Sequence, residues 1–325
     1  MMSNKNKLLS AIDYCRAHRE SVLLCVTFAL CLICAIADRF WLHRSDEFLG
    51  SLIFVIIIFL IPLFIYLSLS QKAVTPEGVA EQLSIKKISH RLIFLPIIAA
   101  VLLISGTLLL DMLFFGIYDV TDGFTLYGNF TANGDGSLVS NIYLILTFAI
   151  IPAFFEEIVF RKLLTRAHAK KGIFSAMLIS GIFYALTPFS LRLIPSFFFS
   201  GVIYCALYMI TGSLLTSISA HILFNLYGLY LRTNVANFFV SSSDVYALVI
   251  IAIIVFLISA ILFVGMISKL FVAYAKAGKA PPPVPTQKKG IAASVRSAFG
   301  IFKSPATLAC VFIYTAYVII FAFLG

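Results

Sequence analysis

Residues 141–165 read NIYLILTFAIIPAFFEEIVFRKLLT. The run is long and apolar enough to cross a lipid bilayer, which takes about 20 mostly apolar residues in a helix. Near its middle it carries two adjacent carboxylates, Glu156 and Glu157, followed by Arg161. Charges at that depth are costly, so a membrane helix that keeps them marks a functional candidate. Neighbouring helical side chains point about 100° apart, so the two carboxylates cannot share one mate on their own helix. Glu157 and Arg161 are four residues apart with the acid first, the better order for an ion pair. That spacing assigns Arg161 to Glu157 and not to Glu156. A carboxylate buried beside no counter-charge is a candidate for proton exchange. A structural ion-pair knot between helices is the competing reading.

The rest of the chain agrees with a lipid setting. Of 325 residues, 61% are hydrophobic and 12% charged, and the mean hydropathy is +1.04. Soluble domains carry about 25% charged and about 45–50% apolar residues. An ordinary soluble globule, a nucleic-acid module and a disordered tail are thereby excluded. The pattern predicts an all-α polytopic bundle of about nine transmembrane helices, or eight on a stricter count. The candidate spans are 21–37, 48–70, 92–116, 141–165, 173–188, 194–211, 213–231, 245–268 and 307–324. The first could be a signal peptide cleaved after Ala35-Ile36-Ala37, but about 20 residues precede it, which favours an uncleaved anchor.

Net charge is +10, from 24 Lys and Arg against 14 Asp and Glu. The bases crowd the gaps at one end of the bundle. With the N-terminus inside, the gaps before 21, at 71–91, at 161–172 and at 269–306 hold 4, 4, 5 and 7 of them, which is 20 of 24. Only Arg39, Arg44, Arg192 and Arg232 fall at the other end. The positive-inside rule then puts the N-terminus in the cytoplasm and the C-terminus outside. The setting expected is a bacterial plasma membrane.

Six cysteines, Cys15, Cys25, Cys31, Cys34, Cys205 and Cys310, fall mostly in apolar runs, where free Cys packs as a small hydrophobe. The Cys31–Cys34 pair has no second pair beside it, so packing outweighs redox or metal use. Residues 280–285, APPPVP, read as a stiff spacer in a basic stretch along anionic headgroups. Residues 131–137 read as an outer turn. No internal repeat is visible.

A second polar feature lies at His221 and Asn225, one turn apart on a lipid-like helix. Its stripe continues through Ser217 at one end and Gly228 and Arg232 at the other. His and Asn often join helices in membranes; they are equally suited to aim donors at a developing oxyanion. At 1.5 Å per residue, Glu156 and His221 lie about 14 Å and about 12 Å from the cytoplasmic ends of their helices. Both reach mid-membrane, where one cavity could hold them. Asp111 sits alone near an outer helix end and is assigned no chemistry.

These residues resemble the CPBP family, the CaaX proteases and bacteriocin-processing enzymes also called Abi. Its motif EExxxR matches Glu156, Glu157 and Arg161, and its HxxxN matches His221 and Asn225, with two helices between. The middle motif, FxxxH, departs: Phe183-Tyr184-Ala185-Leu186 is followed by Thr187. Of the five histidines, only His221 lies within a predicted span. The resemblance covers residues 90–235. It divides the chain into an N-terminal part, 1–90, a CPBP-like core, 91–235, and a C-terminal part, 236–325.

The resemblance implies an intramembrane endopeptidase. Glu156 would activate water, His221 and Asn225 would stabilise the oxyanion, and Glu157 and Arg161 would shape the site. Thr187 can orient a water but cannot take a proton near neutral pH as imidazole does. Family members are often labelled metalloproteases, yet a catalytic zinc needs three protein ligands and HExxH is absent. The expectation is therefore no cofactor, with zinc or another divalent metal as the alternative. Ser213, Ser217 and Ser219 near His221 read as packing residues. The expected partners are a peptide or membrane-protein substrate, cut near the cytoplasmic face, and the lipid bilayer, with no nucleic acid. Two competing functions stay open. One is a catalytically impaired member that binds peptide or confers bacteriocin immunity. The other is a small transporter relaying protons through Glu156, which calls for paired broken helices.

Overall fold

The computed structural model describes residues 12–16, 18–40, 47–70, 92–116, 125–126, 130–131, 135–241, 244–278 and 290–324. Helix α1 is Arg19–Phe40. Helix α2 runs without a break through Glu47–Val55, Ile56–Leu60 and Ile61–Leu69, and α3 is Leu95–Phe115. Two short strands, β1 (Thr125–Leu126) and β2 (Phe130–Thr131), pair antiparallel with Thr125 opposite Thr131. Then come α4 (Leu138–His168), α5 (Ile173–Leu186), α6 (Ile194–Thr211), α7 (Leu214–Tyr230) and α8 (Arg232–Ser241). Helices α9 (Val245–Lys276), α10 (Ile291–Phe299) and α11 (Pro305–Leu324) complete the chain. The architecture is an all-α polytopic membrane bundle, and a helix stands at each of the nine predicted spans. The 280–285 spacer and the middle of the 131–137 turn lie outside the described residues.

The count of nine crossings is not reached by length and apolarity. Among the described residues five helices qualify: α2, α3, α4, α6 and α9. Two bent pairs raise this to seven: α7 with α8, bent by 50°, and α10 with α11, bent by 76°. Helix α5 has 14 residues, about 21 Å, against a hydrocarbon core of about 30 Å. The first bend falls at Leu231, where the predicted span 213–231 ends, and the second at Lys303-Ser304-Pro305, just before the predicted span 307–324.

Prolines inside the rods have a local accommodation. A proline lacks the backbone N–H, and its ring crowds the carbonyl four residues back. Pro62 follows a π-helical stretch, Ile56–Leu60, and Pro152 follows another, Ile145–Ile150. The wider turn makes room for the ring without ending the helix. A third π stretch, Glu157–Thr165, begins at the carboxylate pair and has no proline to explain it. Its nine residues are all buried. Thr165 Oγ1 donates to the Phe160 carbonyl, five residues back, at 2.8 Å. Such wide turns concentrate at functional sites.

Helices α5 and α6 form the tightest pair. A Cβ built on Gly201 would lie 2.9 Å from the Gly181 Cα and 3.0 Å from the Tyr184 Cβ. Small residues allow such backbone approach in membranes. Gly201→Ala is therefore expected to lower stability by about 1–3 kcal/mol, read as a fall in the thermal midpoint in detergent. An unchanged midpoint would mean the pair is looser than described. The contact matters for function because Tyr184, one turn from Gly181, lies in the polar cluster.

Candidate active site

The polar cluster is assembled from α4, α5, α6 and α7. His221 Nδ1 lies 3.1 Å from Glu157 Oε1. The same carboxylate oxygen lies 3.3 Å from Arg161 Nη1, and neither of these two side chains is exposed at all. The guanidinium also sits over the Tyr184 ring at 4.4 Å and the Tyr204 ring at 5.1 Å. Such cation–π contacts strengthen out of water. Tyr204 stacks on the His221 ring, with centroids 4.6 Å apart and 20° between planes. The imidazole is thus held along its edge by Glu157 and across its face by Tyr204.

An ionised carboxylate only accepts hydrogen bonds, so Glu157 fixes the proton on Nδ1. Nε2 is thereby turned toward Tyr184, whose hydroxyl is 3.4 Å away, and toward Glu156 Oε2 at 3.9 Å. Glu156, Tyr184, His221 and Asn225 line one chamber of about 90 Å³, along with Thr107, Asp111, Ser196 and Arg232. A cavity of that size with polar walls has room for water beside the reacting groups. Among the charged groups of the cluster, two carboxylates stand against one guanidinium. One further proton, on the imidazole or on a carboxyl, brings the cluster to neutrality.

The structure brings Glu156, Glu157, Arg161, His221 and Asn225 together, as their spacing predicted. Glu157 makes one contact that spacing could not foresee, since its partner His221 comes from another helix. Thr187 is placed differently. It caps the end of α5, where its hydroxyl donates to the Tyr184 carbonyl at 2.7 Å, and it does not line the chamber. It is a poor candidate for holding a water there. Tyr184 and Tyr204 were missed by sequence reasoning. Tyr184 did carry a signal, since it sits inside the incomplete middle motif. Asp111 was assigned nothing, yet it meets Arg232 Nη2 at 3.2 Å and accepts from Ser196 Oγ. Ser217 turns its hydroxyl back to the Leu214 carbonyl and stays out of the chamber.

A catalytic zinc site would need three protein ligands. Here the donors do not fit one. Glu157 and His221 Nδ1 are committed to each other, and Arg161 brings a buried positive charge to the same oxygen. No group of three or more His, Cys, Asp or Glu among the described residues is arranged to hold a metal ion.

Residues 138–227 match a family model described as type II CAAX prenyl endopeptidase Rce1-like. This segment is similar to the Rce1-like proteins, a group within the CPBP family. It spans 90 of the 325 residues, from the first residue of α4 to Tyr227 on α7, and it contains the whole polar cluster. No curated protein and no solved structure matches the chain. Helices α1 to α3 and α8 to α11 lie outside the Rce1-like segment, although α3 supplies one wall of the chamber.

Proposed function

We propose that this membrane protein is an intramembrane endopeptidase of the CAAX-protease type, in which Glu156 activates water. The observation that carries this is the Glu157–His221 bond at 3.1 Å, which fixes an imidazole beside Glu156 and Asn225 in one chamber. A water beside Glu156 attacks the scissile carbonyl. Its oxygen bonds to carbon as its proton passes to Glu156. The oxyanion accepts from the Asn225 amide and, when the imidazole is charged, from His221 Nε2. Glu156 then returns the proton to the leaving amine as the C–N bond breaks. Arg161 neutralises Glu157, and Tyr184 steadies Nε2. The substrate is a peptide or a segment of a membrane protein. The core that does this is 91–235, and 1–90 and 236–325 flank it.

One observation favours a second reading. Thr187 stands where the family has an imidazole, and its hydroxyl is already used within α5. A chamber lacking that base would bind peptide without cutting it.

The test is purified protein in detergent with fluorogenic peptides, lipidated and plain. Wild type is expected to cut, and Asn225→Ala to lower kcat by about 10²–10³ with KM little changed, as loss of one oxyanion donor does. Wild-type protein that binds the peptides and cuts none would favour the second reading instead.

A further inference from the structure

The chamber has a closed end and an open end. Next to the cluster, on the side of the α4–α5 connection, Arg161, Leu164, Thr165, Tyr204 and Cys205 are all wholly buried. They form a floor, tied across α4 and α6 by the 3.5 Å contact of Thr165 Oγ1 with Cys205 Sγ. In the other direction exposure rises along the wall. Glu156 and His221 are 2% and 3% exposed, whereas the side chains of Asp111 and Arg232 are 15% and 26% exposed. Tyr230, the last residue of α7 and two before Arg232, lies nine residues past His221, about 14 Å along the rod at 1.5 Å per residue. The mouth is therefore at the end of the bundle shared by the C-termini of α3 and α7 and the N-terminus of α6.

That end is the one poor in bases. Arg161 and Lys162 are buried and are left out; among the described residues, nine Lys and Arg remain at the floor end, against Arg39, Arg192 and Arg232 at the mouth end. The bias keeps its direction. By the positive-inside rule the floor faces the cytoplasm.

We infer that the chamber admits its substrate from the non-cytoplasmic face, so that the peptide it takes is an exported or outward-facing segment. This reverses the cleavage near the cytoplasmic face that the sequence reading expects. The identity of the occupant as a peptide rests on the peptidase reading; the side of entry does not.

The test uses the full chain with its six cysteines replaced, and single cysteines at two places. Thr107→Cys sits in the chamber wall, and Ala292→Cys is an exposed marker on α10, at the basic end. A membrane-impermeant maleimide is applied to right-side-out and to inverted vesicles. The expected result is labelling of Thr107→Cys only in right-side-out vesicles and of Ala292→Cys only in inverted ones. Labelling of both from one face overturns the inference. So does a Thr107→Cys that reacts from neither face but reacts fully once the protein is denatured, since entry would then be lateral, from lipid. In parallel, an impermeant fluorogenic peptide is given to the same vesicles and to detergent-solubilised protein. Cleavage confined to right-side-out vesicles is expected. Cleavage confined to inverted vesicles overturns the side of entry. Failure to cut in detergent sinks the peptidase reading and leaves the side of entry to be decided by the labelling alone.

Discussion

Glu156→Gln is expected to lower kcat for peptide cleavage by about 10²–10⁴, the usual cost of losing a positioned acid–base group. The amide keeps the shape of the side chain and its place on α4, one residue before the wide turn. It cannot take the proton of an attacking water. KM should stay near the wild-type value, because the chamber walls on α3, α6 and α7 are untouched. The thermal midpoint in detergent should change little by comparison. Glu157→Gln makes the contrast. That carboxylate holds both the imidazole and the guanidinium, so its loss should reduce rate and midpoint together. A Glu156→Gln protein working at the wild-type rate would remove Glu156 from the chemistry and with it the proposed mechanism.

Arg161→Met is expected to destabilise the fold by about 3–5 kcal/mol, the range for removing one partner of a buried ion pair. The guanidinium lies with no exposed surface between Glu157 and the faces of Tyr184 and Tyr204. Without it, Glu157 stays buried with only the imidazole to answer its charge. Unfolding in detergent by heat or denaturant reads the loss. The double variant Glu157→Gln/Arg161→Met should recover much of it, because the stranded charge is gone. Arg161→Lys should not recover it, since an ammonium has no flat face to lay against two phenol rings. A single variant that melts as the wild type does would mean that the cluster is more hydrated than its burial implies and that its dielectric is not low.

Much of this site was legible because lipid makes charges rare. In a chain with so few ionisable groups at bilayer depth, Glu156, Glu157, Arg161 and His221 stood out one by one, and periodicity gave their faces. What the letters could not give was the pairing between helices. Glu157 was matched to Arg161 within α4, correctly, but its second partner lies 64 residues on. Tyr184 and Tyr204 were invisible for a related reason. Among 14 tyrosines in an aromatic-rich chain, nothing local separates one that packs against lipid from one that packs against a guanidinium. Asp111 looked isolated because Arg232 is 121 residues away. The helices stand where hydropathy put them; by length and apolarity the crossings among the described residues number five to seven, and α5, with 14 residues, is too short to count.

Two contacts between helices around the chamber differ in how readily they part. Glu157 and His221 fasten α4 to α7 in a dry interior, where a buried hydrogen bond to a charged group is costly to break. Asp111 and Arg232 join α3 to the α7 end where water reaches them, and pairs of that kind are worth little. A void of about 90 Å³ must swell before a polypeptide can thread it. The strain of that swelling falls on the weaker clasp, so α3 is the wall that yields while the reacting groups keep their spacing.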